Sequence, residues 1–391
     1  KRQVYSNAVS DTNPEIVRAK ERRIPIYSRA EVLGMLMNNY KHSIAVCGTH
    51  GKTTVTSMTS LILRDAKYEP TILVGGSVEE IKGNVEIGDT NYFVTEACEY
   101  MDSFLHLTPN IGVLLNIDSD HLDYFKDMDH IVKSFKEFVS NIPKKGIIIA
   151  YGENPFVKEA LRGLNNVITY GYTDSNDFYA ENVSFDDGGF PEYDICHEGK
   201  VLCHLHLGVP GEHNVLNSMA AYVTARYLGV SDDVIAGTLK SFKGTHRRFD
   251  FTGVTKKGVK IVDDYAHHPT EIKATLSAAS KVKHNKLRVI FQPHTYTRTK
   301  ALFEEFVESF DHVDSLIITD IYAAREKDVY GVSSYQLVNA IKAEYPDREV
   351  YYVQDFEDIV KYLSANAEKD DIVMTMGAGD VYKIGQMMLK A

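Results

Sequence analysis

The chain has 391 residues, 44% of them hydrophobic, enough for two or three domains with cores of their own. Its net charge of -11, with no long Lys/Arg block, argues against a nucleic-acid or anionic-membrane partner. No apolar run reaches the ~18 residues of a membrane span, the first ten residues carry no signal pattern, and Cys47, Cys98, Cys196 and Cys203 lack disulfide-like spacing, so they read as reduced thiols of a cytoplasmic protein.

Strand and helix patterns alternate throughout, which predicts α/β layers around mostly parallel sheets. Residues 1–40 read as the remnant of a larger N-terminal domain. Val4-Tyr5-Ser6 ends a strand, Pro14 opens a short helix after Asn13, and Ile24–Tyr27 forms a second strand. Ser28 then caps a helix over Arg29–Met37.

The central part, residues 41–246, opens on a strand at Ser43–Cys47. A glycine turn and a helix over Thr53–Asp65 follow. Further strands are expected at Tyr92–Glu96, Ile111–Asn116 and Gly146–Ala150, with a helix at Met128–Asn141. Residues 167–209 suggest an antiparallel patch, and a helix covers Asn214–Leu228. In that patch His204 and His206 alternate with Cys203, Leu205 and Leu207, so they read as a surface pair rather than a zinc site. A second α/β unit, residues 247–391, carries strands at Lys260–Asp263, Leu287–Phe291, Ser315–Asp320, Glu349–Tyr352 and Ile372–Met376.

The run Gly48-Thr49-His50-Gly51-Lys52-Thr53-Thr54 joins a buried strand to a helix. Gly48 and Gly51 let backbone N–H groups converge on phosphate oxygens at the positive end of the helix. Lys52 would reach the terminal phosphates, and the Thr53 hydroxyl would hold Mg²⁺. Val46 stands where the usual Walker glycine would be, so this is the shorter G-T-x-G-K-T-T form. The bland alternative is a glycine turn with an incidental lysine. Glu96 and His121 follow strand ends, where open parallel sheets bind ligands. A carboxylate suits magnesium well, an imidazole less so. Each by itself reads more readily as a loop hydrogen-bonding group. Asn214 by itself reads as a helix cap, and Arg247-Arg248 as a solvated pair or a phosphate clamp.

Together these runs resemble the Mur ligases, a family whose central domain binds ATP. The resemblance implies a P-loop-type central domain, a C-terminal Rossmann-like amino-acid-binding domain and a truncated Rossmann-like N-terminal domain. It implies that Glu96 and His121 serve magnesium with Thr53, although Cys98 and Tyr100 depart from the family's usual run. It implies that His213, Asn214 and Asn217 read adenine, and that Arg247 and Arg248 contact substrate and γ-phosphate. Asp263-Asp264-Tyr265-Ala266-His267-His268-Pro269-Thr270-Glu271 and Phe291-Gln292-Pro293-His294-Thr295-Tyr296-Thr297-Arg298 resemble the L-alanine-adding branch. Tyr265, His267, Arg298 and Ala378 would then hold the amino acid.

The implied activity is ATP-dependent ligation of L-alanine to the lactyl carboxylate of UDP-N-acetylmuramate, through an acyl phosphate, in peptidoglycan precursor synthesis. A tripeptide-recycling ligase and a non-ligating nucleotide-binding protein are the alternatives. The oligomeric state is not legible.

Overall fold

Strand His42–Cys47 is apolar and buried along nearly its whole length, because it lies inside a ten-stranded sheet with a parallel neighbour on each side. The computed structural model describes residues 2–6, 9–121 and 124–391, so Leu122 and Asp123 of the run after Ile117 lie outside the described residues. Across this sheet the strands run Lys200–His206, Pro191–His197, Phe178–Phe185, Val167–Gly171, Ile147–Tyr151, Ile111–Leu114, His42–Cys47, Tyr92–Glu96, Thr71–Val78 and Gly83–Glu86. Its middle is parallel. The pairings at the two margins are antiparallel.

The expected antiparallel patch is therefore a mixed limb. Val167–Gly171 pairs parallel with Ile147–Tyr151, and antiparallel pairing begins at Phe178–Phe185. Strand Thr71–Val78 was not apparent in the sequence; its Gly75-Gly76 pair breaks the apolar pattern that marks a strand.

Helices cover both faces, as a parallel sheet requires. On one side Lys52–Asp65 packs against His213–Tyr227 and Asp232–Ser241. Val55, Met58, Leu61 and Ile62 are buried there, each contributing roughly 1.5–3 kcal/mol. On the other side Met128–Ser140 buries Ile131, Phe135 and Phe138 over the same sheet. The N-terminal segment docks on this second layer. A Cβ on Gly34 would stand 2.1 Å from the His106 carbonyl oxygen, so only glycine permits that approach. Its helices carry the expected caps: Asn13 accepts from Glu15 N, and Ser28 forms a capping box with Glu31. Gln3–Tyr5 and Ile26–Ser28 pair in parallel.

The six-stranded sheet runs Asp250–Val254, Lys260–Asp264, Ile372–Met376, Leu287–Phe291, Ser315–Ile318 and Glu349–Tyr352, and only its first pairing is antiparallel. Apolar clusters fill both of its faces. Residues 242–249 carry the chain from the first sheet to the second. Among the described residues, no helix is long and apolar enough to cross a membrane.

Candidate active site

The turn after His42–Cys47 is clamped by the end of the neighbouring strand. Asn116 takes the His50 N–H on its Oδ1 at 2.8 Å and donates to the His50 carbonyl at 3.0 Å. Thr49 Oγ1 accepts the Asp118 N–H at 2.9 Å. This explains why strand Ile111–Leu114 is shorter than expected: Leu115 and Asn116 leave the ladder to hold the turn. Gly51 has φ 86°, and the helix begins at Lys52. Thr53 and Thr54 lie on its first turn, so their N–H groups and that of Lys52 have no intrahelical partners.

Lys52 folds back over the turn. Its ammonium lies 2.6 Å from Gly48 O, 3.0 Å from Thr49 O, and 3.0 and 2.9 Å from the two oxygens of Glu99. Burial alone would favour the neutral amine, but Glu99 outweighs it and pushes the Lys52 pKa up. His121 Nε2 lies 3.8 Å from Glu99 Oε1. Glu96 accepts the Gly75 N–H at 2.6 Å, while the next residue, Gly76, lies against the Thr53 methyl. The structure thus brings Lys52 and His121 to Glu99, and Glu96 and Thr53 to the adjacent Gly75-Gly76 pair.

The donor set fits a divalent cation. Glu99 Oε2 is shut off from solvent and, despite the nearby ammonium, has no well-directed hydrogen bond among the described residues. A hard cation would satisfy such an oxygen.

Between the two sheets lies a cavity of about 470 Å³. His50, Gly51 and Thr54 line one wall, His213, Asn214 and Asn217 a second, and Arg248 and Glu271 a third. Burial, then Arg248, lowers His213 to about 4, so its ring is neutral at neutral pH, and its buried Nδ1 has no partner among the described residues. Asn214 donates to Pro210 O at 2.7 Å and accepts from Asn217 at 3.0 Å. The Asn217 Oδ1 faces Gly51, so this residue sits against the phosphate turn.

The two arginines separate. Arg248 faces the cavity, with Nη1 3.8 Å from Glu271. Arg247 turns into the second sheet instead. It donates to Asp263 at 2.8 Å and to Gly377 O at 2.7 Å, and its guanidinium lies over the Tyr265 and Tyr382 rings.

On the second sheet, His267, His294 and Arg298 converge beyond the strand ends. Arg298 donates to Asp120 across the cleft at 2.8 and 3.2 Å, and to His294 O at 3.0 Å. His294 stacks on Tyr322 and meets His267 edge-on at 5.7 Å. Burial lowers His267 to about 3 and His294 to about 4, so both rings are neutral at neutral pH. Ala378 lies between Gly377 and Gly379, whose backbones press on Gln292 and Tyr322.

Several groups escaped the sequence reading. Glu99 and Glu271 were visible in their runs but had no partners by which to single them out. Asp118, Asp120 and Tyr322 matter through contacts more than 25 positions away in sequence. His50, Asp118 and His268 bring possible ligand atoms within 4.8 Å of one another. Hydrogen bonds account for that cluster. His268 donates to Ser119 O and accepts from Thr270 N, while His50 bridges Asp118 and Glu271 at 3.2 Å each. His204 and His206 form surface pairs with Asp194 and Glu192.

Three family models match the chain: "Mur ligase family, catalytic domain" over residues 1–41, "Mur ligase middle domain" over 46–225, and "Mur ligase, glutamate ligase domain" over 247–379. The UDP-N-acetylmuramate–L-alanine ligase of Alkaliphilus metalliredigens is 52% identical over 387 residues, 99% of this chain and 83% of that protein. The ligase of the same name from Caldanaerobacter subterraneus is 48% identical over 99% of this chain and 84% of its own length. The crystal structure of the UDP-N-acetylmuramate-alanine ligase of Thermotoga maritima superposes with a TM-score of 0.82 at 28% identity, covering 99% of this chain and 84% of that one.

Proposed function

The chain belongs to the Mur ligase family, and we infer that it joins L-alanine to UDP-N-acetylmuramate in an ATP-dependent reaction that builds a peptidoglycan precursor. What carries the reading, beside its relatives, is one juxtaposition. The phosphate turn and the His267–Arg298 group face each other across one cleft, bridged by His50–Glu271 and Arg298–Asp120.

In this reading ATP lies in the interdomain cavity, its phosphates on residues 48–54 and its base near Asn214. His213 and Asn217 line the same wall of that cavity. The lactyl carboxylate attacks the γ-phosphate, and ADP departs. Lys52 and Arg248 offset charge on the transferred group in its loose transition state. Thr53, Glu96 and His121 would hold Mg²⁺, which supplies further positive charge at the phosphates. Arg298 is suited to the acceptor's carboxylate, with Tyr265, His267 and Ala378 beside it. Arg247 belongs to this assembly as a strut between linker and second sheet. The closed cleft keeps water from the acyl phosphate.

The test is phosphate release by the full chain with ATP and UDP-N-acetylmuramate. L-alanine should stimulate it, and L-alanine should outcompete a tripeptide acceptor. Nucleotide binding without alanine-stimulated turnover would leave a non-ligating protein, and preference for the tripeptide would make it a recycling ligase.

A further inference from the structure

The run after strand Tyr92–Glu96 turns sharply at Met101 and Asp102, whose φ angles are 53° and 52°. Just before that turn, the Tyr100 ring packs against the His121 imidazole, with centroids 4.7 Å apart and planes at 42°. Tyr100 also meets the Tyr124 ring edge-on at 6.2 Å. Tyr124 is itself tied down. Its hydroxyl donates to Asp102, which also accepts from Ser134 on helix Met128–Ser140. A brace therefore runs from that helix through two tyrosines to one imidazole.

The His121 ring has few other constraints. Its backbone is left-handed at φ 53°, a conformation that a histidine keeps only where its surroundings impose it. Nε2 lies 3.8 Å from Glu99 Oε1 and 3.8 Å from Asp120 Oδ2, both beyond hydrogen-bond reach. Among the described residues neither ring nitrogen makes a hydrogen bond. A histidine that binds a cation usually has its ring fixed by a hydrogen bond from its second nitrogen. Here packing on Tyr100 supplies that constraint. Tyr100 is one of the two positions at which this run departs from the family's usual one.

We propose that Tyr100 is a positioning residue of the cation site: braced by Tyr124, its ring holds the His121 imidazole beside Glu99, with Nε2 presented before a divalent cation arrives. The inference rests on the reading of His121 as a cation-holding residue given above. A preset ring spares the cation the cost of ordering it. Tyr100 is not among the residues that line the interdomain cavity, so removing its ring disturbs one ligand and leaves the nucleotide's walls in place.

The experiment uses the full chain with Mn²⁺ in place of Mg²⁺ and β,γ-methylene ATP, which adds no nitrogen at the phosphates. Electron spin-echo spectroscopy then reads whether an imidazole nitrogen is bound to the Mn²⁺. The unsubstituted protein should show the nitrogen modulation, and His121→Gln should abolish it. Tyr100→Phe keeps the ring and should retain it. Tyr100→Ala should lose most of it, with Mn²⁺ affinity lowered about 10-fold and analogue affinity at saturating Mg²⁺ changed less than about 3-fold. Tyr100→Leu fills the space without a ring and should behave as the alanine variant does, even if that variant folds poorly. Full modulation in either variant without the ring, or its loss in Tyr100→Phe, would overturn the proposal. Absence of the modulation from the unsubstituted protein, or its survival in His121→Gln, would overturn His121 as a ligand and the proposal with it.

Discussion

Arg298 and Asp120 are 178 positions apart and meet across the cleft, with Nη2 2.8 Å and Nε 3.2 Å from the same oxygen, Oδ1. Both side chains are only 11% exposed. Burial would raise the Asp120 carboxyl, but the Arg298 guanidinium more than offsets it and holds the acid ionised. A buried fork of this kind is geometrically exacting, and a lysine cannot reproduce it. Arg298→Lys is therefore expected to raise the KM for alanine about 10–100-fold, with nucleotide affinity changed less than about 2-fold. Steady-state kinetics and a nucleotide titration separate the two. Equal losses in both would point to failed closure rather than a role in holding the acceptor.

Lys52 is a buried cation on the phosphate turn, already neutralised by Glu99. Removing it leaves that carboxylate unpaired and deprives the transferred phosphoryl group of its nearest positive charge. Lys52→Ala should lower alanine-dependent phosphate release on the order of 10²–10³-fold. A rate near that of the unsubstituted protein would sink the assignment of this turn to phosphate.

Gly51 and Gly163 offer a matched pair. Both have positive φ, 86° and 88°. A Cβ on Gly51 would lie 2.5 Å from Asn217 Oδ1, whereas one on Gly163 meets nothing within 4 Å. Each alanine replacement costs about 1–3 kcal/mol of backbone strain. Gly51→Ala should in addition weaken nucleotide binding about 10-fold or more, because the turn must shift. Gly163→Ala should leave it unchanged. Equal affinities in the two variants would show that the Asn217 contact is irrelevant.

His50 carries a pH dependence of known sign. Burial lowers its pKa, but the hydrogen bonds to Asp118 and Glu271 prevail and raise it to about 9. The folded value exceeds the ordinary 6.5, so the folded state binds the extra proton more tightly. Its contribution is complete below about pH 6.5 and is lost as pH rises through about 9. Stability should fall over that window by on the order of 1–3 kcal/mol, and His50→Asn should flatten the dependence. Thermal melts at a series of pH values decide it. An unchanged slope in the variant would mean that another group titrates.

The local features of the site were readable because they are contiguous in sequence. The turn 48–54 needs glycines and a Lys-Thr pair at fixed spacing, and strand-then-helix patterning supplies its setting. Caps such as Asn13 and Ser28 are equally local, as are the apolar strands ending at Glu96 and Phe291. Strand Thr71–Val78 was not readable, because Gly75 and Gly76 leave room for Thr53 and Glu96 rather than for a core side chain.

Arg247 and Arg248 show where sequence stops. They are adjacent, chemically identical and equally suited to phosphate, yet one locks onto Asp263 and Gly377 while the other faces the cavity. The backbone at Arg247 has φ 63°, which sends the two side chains different ways. The sequence by itself determined the layered architecture, the phosphate turn and the family, since those depend on short-range spacing. Tertiary structure alone decided that Glu271 serves both His50 and His267, and that Asp120 meets Arg298, because ionic and hydrogen-bonding partners are selected by distances that only the closed fold defines.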